Sequence, residues 1–299
     1  MKNVFVVGIL LFVTSFAQAQ GVDGIRMRWS QPVEPYNVIE NIYYVGASGI
    51  SSHIIATDEG LILMDTGTTL MVPQIKRNIE TLGFSIKNVK VILSSHAHWD
   101  HVEGHAEMKR RTGATIAALG EDAEAISNGV DNSALGGDGW EAVEIDRVLK
   151  DGDVVTLGGV ELTAHHTPGH TKGCTTWTMS IEDRGKKYNV IFIGGTSING
   201  GVNLVGNTRH PGILEDYAKT FQVLSNLEVD VFLAQHPSMY NMVEKMNARA
   251  VDAGTNPFID PEGYRTFIDG KKRNTRNNER VKPPSDHADP VNAHFPNVS

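Results

Sequence analysis

The alternation of apolar and polar residues divides the chain into two successive blocks of strands and helices. In the first, residues 42–47, 52–57 and 61–65 are short β-rich segments bounded by polar turns. Val72, Ile75, Ile79 and Leu82 then recur at helical spacing, and Gly83 follows as a stop. Residues 89–93 read as a compact buried strand, 103–112 as a charged helix, 114–118 as a strand and 121–127 as a helix. Gly129, Gly136, Gly137 and Gly139 make 129–139 a flexible loop, either a mobile lid or an ordinary surface loop.

The second block is richer in strands, at 154–157, 160–165, 175–181 and 188–193. Leu214, Tyr217, Ala218, Phe221, Leu224 and Leu227 line one face of an amphipathic helix. A last short strand at 231–234 precedes further helical patterns. No linker separates two globular halves. Two mixed blocks without a boundary suit one α/β domain with two sheets and helices outside them.

The ends differ from this pattern. Lys2, the apolar run 4–16 and Ala17-Gln18-Ala19 have the order of a cleavable export signal. The run is too short for a permanent membrane span. Residues 1–19 are therefore expected to be a signal peptide and 20–280 the domain. The mature protein is expected to be periplasmic or secreted, with no membrane attachment after cleavage. Residues 281–299, with Pro283, Pro284, Pro290 and Pro296, are expected to be a disordered tail containing His287 and His294. Just before it, Lys271, Lys272, Arg273, Arg276, Arg280 and Lys282 read as a solvated basic helix end.

Charge and cysteine content narrow the chemistry. The 299 residues carry a formal charge of -8, which argues against nucleic-acid binding. A single cysteine excludes an internal disulfide framework and an all-thiolate zinc site. In an exported chain, a lone Cys174 is expected to be buried and inert. The 12 histidines direct attention to a metal site of imidazole and carboxylate.

That site is visible after the strand at 89–93, in Ser94-Ser95-His96-Ala97-His98-Trp99-Asp100-His101. His96 and His98 fall on one side of an extended chain. Asp100 and His101 sit at the turn into the next helix. Four ligand-type residues are too crowded for one tetrahedral ion, so two ions about 3.5–4 Å apart are the better reading. His170, in Thr167-Pro168-Gly169-His170, and His236, in Gln235-His236-Pro237, occupy further strand ends. Six ligands over two ions leave positions open for water and substrate, as a catalytic site requires. His53, His105, His165, His166 and His210 read as surface or core histidines, with His105 and His165 near enough in sequence to support the ligands.

H-x-H-x-D-H with Gly169-His170 and His236 resembles the metallo-β-lactamase superfamily over residues 29–246. That resemblance implies an αββα sandwich, four layers with two mixed sheets and helices on the outer faces. Within the superfamily the chain resembles subclass B3. His101 directly follows the motif aspartate, the one cysteine is misplaced for a ligand, and Gly195 and Thr196 offer no metal-bridging carboxylate.

The resemblance implies two Zn2+ per chain. His96, His98 and His170 would hold the first, and Asp100, His101 and His236 the second, with Asp65 supporting from behind. It further implies a monomeric hydrolase that opens small-molecule β-lactams by water activated on zinc, conferring antibiotic resistance. Asp100 would be the catalytic carboxylate, and Thr196 and Ser197 would contact substrate. Ile198 stands where relatives carry a substrate-binding serine, and Glu103 and His105 where they carry small residues. An exported di-zinc hydrolase of lactones or other esters remains the alternative, and a non-catalytic zinc protein a third reading.

Overall fold

The computed structural model describes residues 23–252 and 254–279. The expected signal peptide, tail, His287 and His294 lie outside the described residues. Among the described residues, twelve strands form two sheets. The first comprises β1 (Tyr36–Ile39), β2 (Ile42–Tyr44), β3 (His53–Thr57), β4 (Gly60–Met64), β5 (Val89–Leu93), β6 (Thr115–Leu119) and β7 (Arg147–Leu149), in that spatial order. Pairs up to β3–β4 are antiparallel, and those from β4–β5 onward are parallel. The second sheet runs β12-β11-β10-β9-β8, from β8 (Val154–Leu157), β9 (Val160–His166), β10 (Thr175–Asp183), β11 (Lys186–Ile193) and β12 (Val231–Ala234). Only β11–β12 is parallel there.

After a helical run at 23–29, the described residues form the helices α1 (Val72–Thr81), the single turn α2 (Trp99–Val102), α3 (His105–Thr112), α4 (Gly120–Asn128), α5 (Ile213–Asn226), α6 (Met242–Val251) and α7 (Pro261–Glu279). Successive side chains of a strand point to opposite faces, and the first sheet uses both. Leu61 and Leu63 of β4 join a core with Val72, Ile75 and Ile79 of α1, Met108 of α3 and Ile126 of α4. Ile62 and Met64 join a second core with Leu162, Trp177 and Ile191 of the other sheet. That sheet is backed by Tyr217, Phe221 and Leu224 of α5 and by Tyr264 and Ile268 of α7. The result is the expected αββα sandwich. A one-residue slip of β4 would exchange its two buried sets, and each large aliphatic side chain is worth about 1.5–3 kcal/mol of burial.

Differences from the sequence reading are local. The helix expected at 103–112 is found as α3 from His105 onward, and the single turn α2 precedes it, with Gly104 closely packed against Thr66 and Val72 between them. β1 and β7 have four and three residues, too few to set up a recognisable alternation. Lys271, Lys272, Arg273 and Arg276 belong to α7, and Lys271 itself is half-buried against the second sheet's end rather than solvated; Arg280 and Lys282 lie outside the described residues. Among the described residues, no helix is long and apolar enough to cross a membrane.

Candidate metal centre

The six residues singled out in the sequence meet where the two sheets end together. His96 and His98 lie in the loop leaving β5, and Asp100 and His101 lie in α2, for which His98 is the N-cap. His170 lies in the loop between β9 and β10, and His236 follows β12 as the N-cap of a 3-10 turn at Pro237–Tyr240. Hydrogen bonds fasten the sheets beside the site. Thr175 N donates to Ser95 O at 2.8 Å, and the Trp177 indole donates to Ser94 O at 3.1 Å.

Around His96 the ring centroids of His98, His101 and His170 lie at 4.9, 4.2 and 4.7 Å. Ligand atoms of His96, His98 and His170 lie within 4.8 Å of one another, as do those of His96, Asp100 and His101. His236 Nε2 is 3.5 Å from Asp100 Oδ2, and His101 Nε2 is 3.3 Å from the same oxygen. His236 thus reaches the second group through Asp100.

The outward nitrogen of each ring is held, which leaves the inward one bare. His170 Nδ1 donates to Ser197 O at 2.6 Å, and His236 Nδ1 to Gly49 O at 2.8 Å. His101 Nδ1 donates to Asp65 Oδ2 at 3.2 Å and His96 Nδ1 to Ser95 Oγ at 3.1 Å. His98 is turned the other way. Its Nε2 faces Ser133 Oγ at 3.1 Å, and its Nδ1 comes within 3.1 Å of His170 Nε2. Fixing one nitrogen selects the tautomer in which the other can bind a metal.

Asp65 organises this arrangement. It ends β4 in a left-handed conformation, φ 55°, which aspartate tolerates better than most residues. Its carboxylate accepts from Ser95 N at 2.7 Å and Ser95 Oγ at 2.6 Å as well as from His101. Asp122 performs a similar service from α4. It accepts from Ala97 N, Thr171 Oγ1 and Gly173 N, joining the loop of His96 and His98 to that of His170.

Burial and mutual repulsion hold His96 and His170 neutral, with pKa values well below the imidazole norm, and burial lowers His98 as well. Burial opposes charge on His101, but Asp100 and Asp65 on either side outweigh it and push its pKa up to about 10 in the metal-free protein. Burial likewise opposes ionisation of Asp100, yet the charge of His101, with Nε2 3.3 Å away, holds its carboxyl far below the usual range. Among the described residues, the buried His101 Nε2 has no hydrogen-bond partner. Neutral imidazoles, an ionised carboxylate and that orphaned nitrogen fit a borderline-soft divalent cation such as zinc.

A cleft of about 610 Å³ opens over the cluster, lined by His98, Asp100, His170 and His236 together with Trp29, Trp99, Leu135 and Ser197. Trp29 and Trp99 stack with centroids 6.0 Å apart and give it an aromatic wall. A larger groove, about 750 Å³, lies on the outer face of the second sheet but contains no imidazole. Ser197 lines the cleft. Thr196 does not: it is buried, and its hydroxyl has no partner.

The loop at 129–139 is neither a free lid nor a bland surface loop. Asp131 accepts from Ser133 N and Gly137 N, and Ser133 is fully buried against His98. Asp131 and Ser133 were missed in the sequence because glycine content masks a loop pinned by one carboxylate. An aspartate two residues before a serine was the available signal. His105 bridges Thr66 Oγ1 and Ser94 Oγ, each at 2.7 Å, and braces the ends of β4 and β5. His165 pairs with Thr178 away from the cluster. Cys174 is buried, its sulfur accepts from Gly195 N, and burial pushes its pKa up, as expected of an inert thiol.

The sequence profile of the metallo-beta-lactamase superfamily matches residues 45–236. The native FEZ-1 metallo-beta-lactamase from Legionella gormanii is 36% identical with a TM-score of 0.81, over 85% of this chain and 99% of that one. BJP-1, a subclass B3 metallo-beta-lactamase of Bradyrhizobium japonicum, is 39% identical with a TM-score of 0.77, over 83% and 94%. Among curated sequences, a hydroxyacylglutathione hydrolase of Methylobacterium sp. is 29% identical over 127 residues, 41% of this chain. The chain spans only 44% of the length of that relative. The chain belongs to the metallo-β-lactamase superfamily, and its neighbours among solved structures are subclass B3 metallo-β-lactamases.

Proposed function

We propose that the protein is an exported, monomeric zinc β-lactamase that holds two ions and opens the amide of β-lactam antibiotics, conferring resistance to them. His96, His98 and His170 would hold one ion, and Asp100, His101 and His236 the other. The observation that carries this reading is His101. Its unpartnered Nε2 beside Asp100 supplies a second nitrogen-rich donor set next to the first. Zinc bound there supplies Lewis acidity and a nucleophile usable at neutral pH.

The chain's own groups do the rest. Asp100 lines the cleft and is ionised at neutral pH, so its carboxylate accepts a hydrogen bond from the attacking water and orients it. Asp65, Ser133, Gly49 and Ser197 O keep the imidazoles from rotating. Trp29, Trp99 and Leu135 cover the apolar side of the substrate and exclude bulk water.

The second reading, an ester, lactone or thioester hydrolase, is favoured by the curated relatives, which include hydroxyacylglutathione hydrolases. Gly195 weighs against it. A Cβ there would lie 2.0 Å from His170 Cδ2, so no carboxylate side chain fits at that position to bridge two ions. The test is hydrolysis of a chromogenic cephalosporin, a carbapenem, a lactone and a glutathione thioester, with and without chelator. Chelator-sensitive opening of either β-lactam is expected. Turnover of the lactone or thioester alone would overturn the reading.

A further inference from the structure

Glu103 stands two residues after His101, where the family resemblance leads to a small residue. A chain of contacts runs from it across three other segments. Its Oε2 accepts from Thr69 N at 3.0 Å, in the turn ahead of α1. Its Oε1 lies 3.4 Å from Nε of Arg26, in the helical run at 23–29. Arg26 in turn reaches the loop at 129–139, with Nη1 3.2 Å from Asp138 Oδ2. The guanidinium carbon also lies 4.7 Å from the ring centroid of Trp99.

Fully exposed ion pairs contribute little, but this one is shielded. The side chains of Arg26 and Glu103 are 16% and 14% exposed, whereas Asp138 is 54% exposed. The Glu103 contact is ionic rather than hydrogen-bonded, since Arg26 Nε has no hydrogen-bond partner among the described residues. Its strength therefore depends on the carboxylate charge.

Trp29 lies three positions after Arg26, on the same face of one helical turn. Its ring stacks on Trp99 at 6.0 Å and meets His236 edge-on at 5.3 Å. Gly49 N donates to Trp29 O at 3.0 Å, which fixes the end of the run through the backbone. Arg26 fixes the preceding turn through its side chain. One guanidinium thus ties the run carrying Trp29 to α2, which carries Trp99, and to the loop carrying Leu135. All three of those apolar side chains line the cleft, and Arg26 itself does not.

We infer that Arg26, seated on Glu103, clasps the apolar wall of the cleft and thereby sets how strongly the cleft prefers substrates with a large apolar substituent. Arg26 is a positioning residue, since it acts through the two indoles. The inference rests on the β-lactam reading only for the choice of substrates in its test.

The test uses zinc-loaded wild type, Arg26→Met, Arg26→Lys and Glu103→Gln, which keeps an acceptor for Thr69 N. Each is assayed on benzylpenicillin and on the penicillin nucleus without an acyl side chain. The ratio of kcat/KM for benzylpenicillin over the bare nucleus should fall about 10-fold in Arg26→Met, with the loss in KM rather than kcat. Glu103→Gln should show a similar fall, and Arg26→Lys should recover part of it. Equal losses on both penicillins would mean a merely structural role and would overturn the inference, as would an unchanged ratio. A second measurement needs no turnover. Acrylamide quenching of tryptophan fluorescence is followed in the metal-free proteins. Trp140 and Trp177 are buried, so the accessible signal belongs to Trp29 and Trp99. Quenching should be steeper in Arg26→Met than in wild type, and the difference should vanish when both carry Trp29→Phe. Quenching unchanged by Arg26→Met overturns the inference even if penicillins are hydrolysed. A wild type that opens neither penicillin sinks the proposed activity alone, and the quenching comparison then decides the clasp.

Discussion

Replacing Asp122 by alanine tests whether the two histidine loops are tied together as described. The carboxylate is buried and accepts three hydrogen bonds, from Ala97 N at 2.9 Å, Thr171 Oγ1 at 2.6 Å and Gly173 N at 2.7 Å. Alanine leaves all three donors without an acceptor, at about 1–3 kcal/mol each. Against that stands the relief of a buried charge. Burial raises the Asp122 pKa from 3.8 to about 6, a cost of about 3 kcal/mol when the group is ionised. The net expectation for Asp122→Ala is a loss of about 3 kcal/mol, or roughly 10 °C in Tm for a domain of this size. Asp122→Asn relieves the same charge but keeps one good acceptor oxygen, so its loss should stay within about 1 kcal/mol.

Acid sharpens the comparison. The folded carboxyl titrates above the unfolded one, so the cost of its charge is fully present above about 6 and vanishes below the unfolded value of 3.8. Wild type should therefore gain about 1 kcal/mol on Asp122→Asn between pH 7 and pH 5. The assay is urea unfolding of the metal-free proteins at both pH values, with zinc affinity measured alongside. A midpoint for Asp122→Ala indistinguishable from wild type would refute the reasoning.

Three further substitutions probe the site. Gly195→Ala places a Cβ 2.0 Å from His170 Cδ2, so the imidazole must move, and zinc affinity measured by competition with a chromophoric chelator should fall at least about 10-fold. Ser133→Ala removes the hydrogen-bond partner of His98 Nε2 and should weaken metal affinity about 10-fold with little change in Tm. Asp65→Asn loses charge beside His101 and an acceptor for Ser95, so the His101 imidazole resonance should titrate at lower pH in the metal-free protein than in wild type.

The ligand motif was legible because four of its members lie within six positions, and local spacing on a strand end carries their geometry. His170 and His236 were legible from the strand ends that present them. The two-sheet fold followed from alternation in β3 to β6 and β9 to β11, where each strand is long enough to repeat. What was hidden depends on contacts between distant segments. Nothing local marks Asp122 as the tie between two loops, since an aspartate in the first turn of a helix is ordinary. The glycines around Ser133 suggested mobility, whereas the fixing element is the Asp131 side chain. Lys271 belonged to a run of basic residues, and only the packing of α7 separates it from the exposed Arg273 and Arg276. Thr196 and Ser197 are adjacent in sequence, but the chain leaving β11 presents only the second to the cleft.

The central claim is that Asp100, His101 and His236 form a second metal position adjoining the one made by His96, His98 and His170. Zinc per chain, measured on wild type and His101→Ala after loading and removal of free metal, tests it most directly. The account predicts two ions in wild type and one in the variant, with the fold retained by circular dichroism. One ion in wild type, or two in His101→Ala, would contradict it.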